Sequence, residues 1–177
     1  MAEIERLPDA TLITVRCAAA TLCQLGTPAG LTFPREANRF TTHGPTRVLW
    51  TGPDDWLIVD ERPDASELLG ALEGAVAGHH TAVVEVSGNR VRFRISGRDA
   101  RALMNRACAL DFDPPEFAAG HCAGTIVARA QAFVMQTSDD PTYELLVRRS
   151  FAAYVADWFV TARRALPSSS AAPPSRE

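Results

Sequence analysis

Apolar and polar residues alternate strictly over 90–95, where Val91, Phe93 and Ile95 alternate with three arginines. A period of two predicts a β-strand with one buried face and one solvated face. The β-branched run at 82–86 predicts another strand, and Ser87-Gly88-Asn89 between the two predicts a turn, because Gly and Asn tolerate positive φ. We expect the chain to be organised around the stretch 81–117.

Three other stretches carry apolar residues at helical spacing. We expect one helix to start at Pro63-Asp64 and to end at Gly78, a second to be capped by Ser96 with Asp99, and a third to begin near Ser150. The expected buried stripes are Ala65, Leu68, Leu69, Leu72 and Val76, then Ala100, Leu103, Met104 and Ala107, then Phe151, Val155, Trp158, Phe159, Ala162 and Leu166.

Further strands are predicted at 12–15, 21–25, 47–50, 56–60, 121–128, 131–136 and 143–147, whereas 34–46 predicts a surface loop with a solvated His43. Each half of the chain then surrounds an amphipathic helix with strands. This predicts an α+β fold of two ferredoxin-like lobes sharing an antiparallel or mixed sheet. We expect one domain over 1–166, with lobes at roughly 10–80 and 81–166, and a disordered tail at 167–177.

Composition narrows the possible functions. With 46% hydrophobic residues, 22% charged residues and a net charge of −3, the chain is typical of a globular domain and has no global basic field for nucleic acid. Its start lacks the pattern of a signal peptide, and no apolar run reaches membrane-spanning length. We therefore expect a cytoplasmic protein that binds neither membrane nor nucleic acid.

Motifs that carry catalysis are absent from the sequence, which has no P-loop, GxGxxG, nucleophile elbow or HExxH. The four cysteines show no metal-ligand spacing, so we interpret them as small buried hydrophobes; disulfides would need an oxidising compartment. Asp54-Asp55 lies in a turn, His79-His80 in a linker, and His121-Cys122 on a strand whose successive side chains diverge. We expect no catalytic, cofactor-binding or metal-binding residue in this chain.

Polar and aromatic candidates for a partner interface remain. The arginines Arg90, Arg92 and Arg94 could form a solvated face, pair with an acidic partner surface, or bind an anionic small molecule or RNA. The tryptophans Trp50 and Trp56 could stack in the core across a hairpin or anchor a partner at its rim. Arg149, with Arg148, precedes the positive end of a helix and so predicts an acidic partner, in this chain or in another subunit.

Three collinear motifs resemble the γ subunit of heterotetrameric sarcosine oxidase. They are SGxxA followed by CALDFDPPEFxxGHCAGT up to Thr125, LWTGPDDWLIV at 49–59, and YELLVRRSFAAYVADWF at 143–159. The resemblance covers the chain except its ends. It implies a fold similar to the folate-binding domain of the glycine-cleavage T-protein, which YgfZ-like proteins share.

The resemblance also implies a function. The complex would oxidise sarcosine with water, oxygen and tetrahydrofolate, yielding glycine, hydrogen peroxide and methylene-tetrahydrofolate. FAD, FMN, NAD and folate would belong to the α and β subunits and zinc to the δ subunit, while this chain supplies a packing surface. Two alternatives stay open: a free-standing folate-binding module of the T-protein type, and an RNA-binding or tRNA-modification helper of the same fold, against which the net charge argues.

Overall fold

The computed structural model describes residues 1–18, 21–22, 29–62 and 64–166. These residues form ten strands and three α-helices. In chain order they are β1 (Glu3–Arg6), β2 (Thr11–Arg16), β3 (Phe40–His43), β4 (Thr46–Gly52), β5 (Asp55–Asp60), α1 (Ser66–Ala75), β6 (Ala82–Glu85), β7 (Arg90–Ser96), α2 (Ala100–Ala107), β8 (Cys122–Val127), β9 (Ala130–Ser138), β10 (Thr142–Arg148) and α3 (Ala152–Arg164).

The strands form two five-stranded antiparallel sheets. The first sheet has the order β3-β4-β5-β2-β6 and the second β8-β9-β10-β7-β1. In the first sheet, the neighbouring strands β6-β2-β5-β4 have the 4-1-3-2 order of a ferredoxin-like fold, and β3 extends it at one edge. The second sheet has a corresponding arrangement in space with a permuted chain order. The N-terminal β1 takes in the second sheet the place that β6 takes in the first.

The expectation that the two lobes share one sheet is therefore wrong. The two predicted strands of the central stretch belong to different sheets, since β6 pairs with β2 and β7 pairs with β10 and β1. A single 3₁₀ turn, Ser87–Asn89, carries the chain across. The sheets touch edge to edge at the isolated bridge between Arg39 and His121, just before β3 and β8.

The two sheets stack face to face, and helices cover the outer face of each, so the fold has four layers. The outer face of the first sheet packs against α1 through Ile13, Val48, Ile58 and Leu72. The outer face of the second sheet packs against α2 and α3. The two inner faces meet in a third cluster, which consists of Ala10, Leu12, Leu49, Leu57, Val59, Cys122, Met135 and Leu146. Both sheets are thus buried on both faces over most of their area.

The predicted strands and helices are close to the observed ones, with differences at their ends. The expected loop at 34–46 contains β3, and His43 accepts a hydrogen bond from the backbone N–H of Thr32 at 3.0 Å. Ser96 is the last residue of β7 rather than a helix cap, because Gly97 turns the chain at φ +92° before α2 begins. Asp64 accepts a hydrogen bond from the N–H of Ser66 at 2.9 Å.

Two predicted features fall on undescribed positions. The expected strand at 21–25 and the expected disordered tail at 167–177 lie largely or wholly outside the described residues.

Phe151, expected in the stripe of the last helix, is exposed because the chain there forms a 3₁₀ turn before α3.

Candidate functional site

A cluster of charged side chains fills the space between the two sheets beside the apolar inner core. Arg92 of β7 lies 2.9 Å from Glu144 of β10 and 2.6 Å from Glu61, which follows β5. Arg47 of β4 reaches Glu61 at 2.9 Å and Glu144 at 3.3 Å. Arg94 adds a contact to Glu144 at 3.4 Å. We call these five residues the inter-sheet ion cluster; it joins strands of both sheets.

Burial and ion pairing have opposite effects on the pKa values in this cluster. Burial alone would raise the pKa of Glu61, but hydrogen bonds from Arg92 and Arg47 outweigh it and hold that pKa below its ordinary value. Burial likewise disfavours the charged form of Arg92, yet its bonds to Glu144 and Glu61 raise its pKa. Both residues are therefore charged at neutral pH. A pair of this kind depends on both members, because removing one leaves a buried charge without compensation.

Asp60 forms a second buried carboxylate site at the end of β5. It is fully buried and accepts hydrogen bonds from the Thr46 hydroxyl at 2.9 Å and from the backbone and side chain of Arg62. Burial would raise the pKa of Asp60, but the bonds from Arg62 and Thr46 outweigh it and lower that pKa. The carboxylate therefore ties the ends of β4 and β5 to the chain leading into α1.

The expected solvated arginine face is wrong for Arg92, whose side chain is 5% exposed and whose charge is neutralised inside this chain. The alternation itself is observed, but the face opposite Val91, Phe93 and Ile95 lies against the first sheet rather than against water. Arg94 is half-buried and reaches Glu5 and Glu144. Arg90 is half-buried too, with its guanidinium 4.7 Å from the centre of the Phe133 ring.

The two tryptophan candidates differ in how deeply they are buried. Trp50 and Trp56 stand directly opposite each other on β4 and β5. Trp56 is 2% exposed, donates its indole N–H to the Pro34 carbonyl at 2.8 Å and packs edge-on against Phe33. It is therefore a core residue, and an anchor at the rim of an interface is excluded for it. Trp50 is half-buried against the same core.

Arg149 has an acidic partner within this chain. Its guanidinium lies 2.9 Å from Asp9 and also donates to the Gly88 carbonyl at 2.9 Å. The N-terminal segment, the turn between the sheets and the start of the last helical segment thereby meet at one side chain. Of the two positions left open for the acidic partner, the structure shows the one in the chain itself.

The cysteines within the described ranges are buried thiols. Burial raises the pKa of Cys122 to about 12 and that of Cys17 to about 11. Cys122 Sγ lies 3.2 Å from the Arg39 carbonyl, while the neighbouring His121 ring lies against Phe117. A thiol with so high a pKa is protonated at neutral pH and is a poor nucleophile.

A cavity of about 650 Å³ opens at the joint between the sheets. Arg39 Nη1 lies 3.1 Å from His121 Nδ1 at its base, and Arg39 Nε donates to Glu36 at 3.0 Å. Glu36, Asp111 and Glu116 line it together with Phe117 and Leu110. Three carboxylates thus line the cavity beside a single guanidinium, that of Arg39, which is already paired with Glu36. Among the described residues, this lining offers no free guanidinium for an anionic folate tail.

Two kinds of feature are absent from the described ranges. Across them, no three His, Cys, Asp or Glu side chains gather in a way that could hold a metal ion. No helix in the same part of the chain combines the length and the apolarity needed to cross a membrane.

Comparison with known proteins identifies the family. The family described as "Sarcosine oxidase, gamma subunit family" matches residues 16–165, which is most of the chain. The chain belongs to this family. The predicted resemblance is therefore confirmed, and all five residues of the inter-sheet ion cluster lie within the matched range.

Relatives within the sarcosine oxidase gamma subunit family are distant. Sarcosine oxidase subunit gamma from Corynebacterium sp. (strain U-96) is 30% identical over 117 residues, which are 66% of this chain and 56% of the relative. The homologous subunit from an Arthrobacter species gives the same identity and coverage. The match thus spans little more than half the length of these relatives.

Solved structures support the fold class. The chain matches a chain of the heterotetrameric sarcosine oxidase from Corynebacterium sp. U-96, solved with pyrrole 2-carboxylate, with a TM-score of 0.88, 23% identity and coverage of 97% of this chain and 88% of that chain. It matches the glycine-cleavage aminomethyltransferase T from Bartonella henselae with a TM-score of 0.67 and 15% identity, over 92% of this chain and 46% of that chain. The expected T-protein-like α+β fold is confirmed.

Sequence reasoning missed the acidic half of the ion cluster. Glu144 is the one charged residue in the apolar run Tyr143 to Val147, and it stands opposite Arg94 in the sheet. A lone carboxylate inside an apolar strand is the signal that could have predicted a buried partner for the arginines. Arg47 and Glu61 gave no such signal, because they lie at the ends of predicted strands, where charges are ordinary.

Proposed function

We propose that this chain is a non-catalytic γ subunit of a heterotetrameric sarcosine oxidase and that it acts in assembly and stability of the complex. Family membership over 16–165 supports the subunit role. The observation that carries the non-catalytic part is the inter-sheet ion cluster: its buried charges pair with one another and join the two sheets. They are committed to holding the fold rather than available to a substrate.

The proposed partners are α, β and δ subunits. The proposed complex converts sarcosine to glycine, hydrogen peroxide and methylene-tetrahydrofolate, and it holds FAD, FMN, NAD, zinc and tetrahydrofolate in those other subunits. The solved relative from Corynebacterium sp. U-96 is a heterotetrameric sarcosine oxidase, which supports an assembly of this kind. A cytoplasmic location agrees with the proposal.

Co-expression tests this proposal. The chain is produced with α, β and δ subunits, with an affinity tag on α, and the purified material is examined by gel filtration and absorbance. We expect the chain to elute with a yellow complex that consumes oxygen with sarcosine. We expect the chain purified alone to be colourless and to consume no oxygen.

The outcomes separate the competing functions. If the chain fails to elute with the other subunits, the subunit role is wrong. If the chain alone binds tetrahydrofolate tightly in calorimetry, the free-standing folate module is the better account. Tight binding to transfer RNA would favour the tRNA-modification helper.

A further inference from the structure

The inner face of the second sheet ends in a row of residues that is partly open to solvent. Arg148 stands opposite Arg90, and Ile126 stands opposite Gln131. The next row inward contains Arg92, Leu146, Phe133 and Gly124, and Leu146 there packs into the core between the sheets. Residues two apart on a strand share a face, so Arg90, Arg148, Gln131 and Ile126 form the outermost row of the inner face. We call them the terminal row.

Three of the four residues of the terminal row are exposed, whereas Arg92 and Leu146 of the row behind it are buried. Arg148 and Gln131 are exposed, and Ile126 is 58% exposed. A cavity of about 320 Å³ lies on the row, lined by Arg90, Gln131 and Ile126 together with Phe133 and Gly124 of the row behind it. The cavity therefore combines the Arg90 side chain with apolar surface from Ile126 and Phe133, and Arg148 stands beside Arg90 in the row.

The two arginines of the row stand opposite each other, and the carboxylate of Asp55, which shares a cavity with Arg90, is itself paired with Arg16. Residues directly opposite on antiparallel strands have closely spaced side chains, and like charges there are destabilising. Within the described residues, neither Arg90 nor Arg148 reaches a carboxylate at ion-pair distance. Their neighbours differ, because Arg92 is paired with Glu144 and Glu61, and Arg149 is paired with Asp9.

The surroundings of Arg90 fix its position without neutralising it. Its guanidinium is held 4.7 Å from the centre of the Phe133 ring, and Nη1 lies 3.4 Å from the Leu146 carbonyl. Burial lowers the pKa of Arg90, and the charge of Arg148 adds to this effect. An incoming carboxylate would relieve both costs, since it can accept hydrogen bonds from the two guanidinium groups at once.

We propose that the terminal row is a docking surface for an acidic polypeptide segment of a partner subunit. A carboxylate of the segment binds Arg90 and Arg148, and an apolar side chain of the segment packs against Ile126 and Phe133. The row crosses four strands, so its ends are roughly 14 Å apart. An extended segment spans that distance with about four residues. The identity of the partner as a sarcosine oxidase subunit rests on the proposed function.

Matched variants test the proposal in the co-expressed complex. Arg148→Glu and Ile126→Ser change exposed residues of the row, so the fold should be retained. Arg164→Glu is the control for charge, because Arg164 is exposed on α3 beyond the opposite face of the second sheet. Val84→Ser is the control for apolar surface, because Val84 is 51% exposed on β6, the edge strand of the first sheet. We expect about tenfold weaker retention by tagged α for each row variant and unchanged retention for the controls.

A second measurement separates failure of the docking surface from failure of the subunit role. Fluorescence anisotropy follows the isolated full chain with a short labelled peptide that has glutamates at one end and leucines at the other. A peptide with glutamines in place of the glutamates is its control. We expect the peptide with glutamates to bind and the peptide with glutamines not to bind. Salt and Arg148→Glu should weaken this binding, whereas Arg164→Glu should not.

Each result decides the proposal. If the wild-type chain joins the complex and the row variants join equally well, the docking surface is wrong and the subunit role stands. If the wild-type chain does not join, the subunit role is wrong and the peptide measurement decides: glutamate-dependent binding through Arg148 keeps the surface, and equal binding of both peptides overturns it. Tighter binding of a labelled oligouridine than of the glutamate peptide would make the row a nucleic-acid site and also overturn the proposal.

Discussion

Arg92 and Glu144 lie 2.9 Å apart between the two sheets, with side chains 5% and 2% exposed. They stand on the neighbouring strands β7 and β10, and Glu61 brings the first sheet into the same contact. A buried ion pair of this kind contributes little compared with a well-packed apolar replacement, but losing one member is costly. The contacts of this pair with Glu61 and Arg47 therefore connect the two sheets through buried charges.

Replacing Arg92 by methionine should destabilise the chain strongly. Arg92→Met leaves Glu144 buried with weaker compensation from Arg47 and Arg94, so we expect a loss of about 3–5 kcal/mol in the free energy of unfolding. Urea denaturation followed by far-UV circular dichroism measures it. Arg98→Met is the matched control, because Arg98 is 71% exposed; a similar loss in both variants would contradict the role assigned to the cluster.

The free energy of unfolding should fall in acid, where the buried Asp60 carboxylate becomes protonated. Its pKa is lower in the folded state than in the unfolded state, so the stabilisation is complete above the unfolded value of about 3.9 and is lost as the pH falls through the folded value. Asp60→Asn should therefore reduce stability at neutral pH and flatten the acid limb of the profile. The measurement is the free energy of unfolding between neutral and acidic pH. Profiles that stay parallel at every pH would exclude Asp60 as the source.

The two tryptophans of the β4–β5 hairpin should respond differently to the same change. Trp56→Phe leaves the Pro34 carbonyl without its donor in a buried site, and we expect a loss of about 2 kcal/mol. Trp50→Phe should cost less, because Trp50 is only half-buried. Thermal and urea unfolding of both variants provide the comparison, and an equal loss would contradict the assignment of Trp56 alone to the core.

The Cys122 thiol should resist alkylation in the folded chain. With a pKa of about 12, only about one thiol in ten thousand is ionised at pH 8, and the side chain is also buried. Iodoacetamide labelling followed by peptide mass spectrometry should find Cys122 unmodified under native conditions and modified in urea. Rapid native labelling of Cys122 would instead identify a reactive thiol.

Local pattern predicted most elements of this fold but not how the two sheets are assembled. The alternation at 90–95 gave β7 and its buried face correctly, because period-two patterning is set by the strand itself. It could not show that the arginine face lies against a second sheet, since that depends on residues far away such as Glu61. Strand β1 was missed for a related reason: its residues are mostly exposed, and pairing with β7 makes it a strand.

The partner-interface candidates show the same limit. The hairpin position favours a partner contact for Trp56 and the strand alternation favours one for Arg92, but tertiary contacts place both inside the chain. Because Arg92 is buried and paired with Glu144 and Glu61, replacing Arg90, Arg92 and Arg94 together should destabilise the isolated chain. Arg90 stays a candidate, and Arg148 joins it because the strand register sets the two side by side.

The assembly of the complex with and without this chain tests the central claim most directly. The α, β and δ subunits are co-expressed either with the chain or alone, and the yield and the turnover of sarcosine per flavin are measured. The account predicts that omission of the chain lowers the yield of soluble yellow complex, and that adding the chain by itself supplies no activity. Equal yield, stability and turnover without the chain would contradict it.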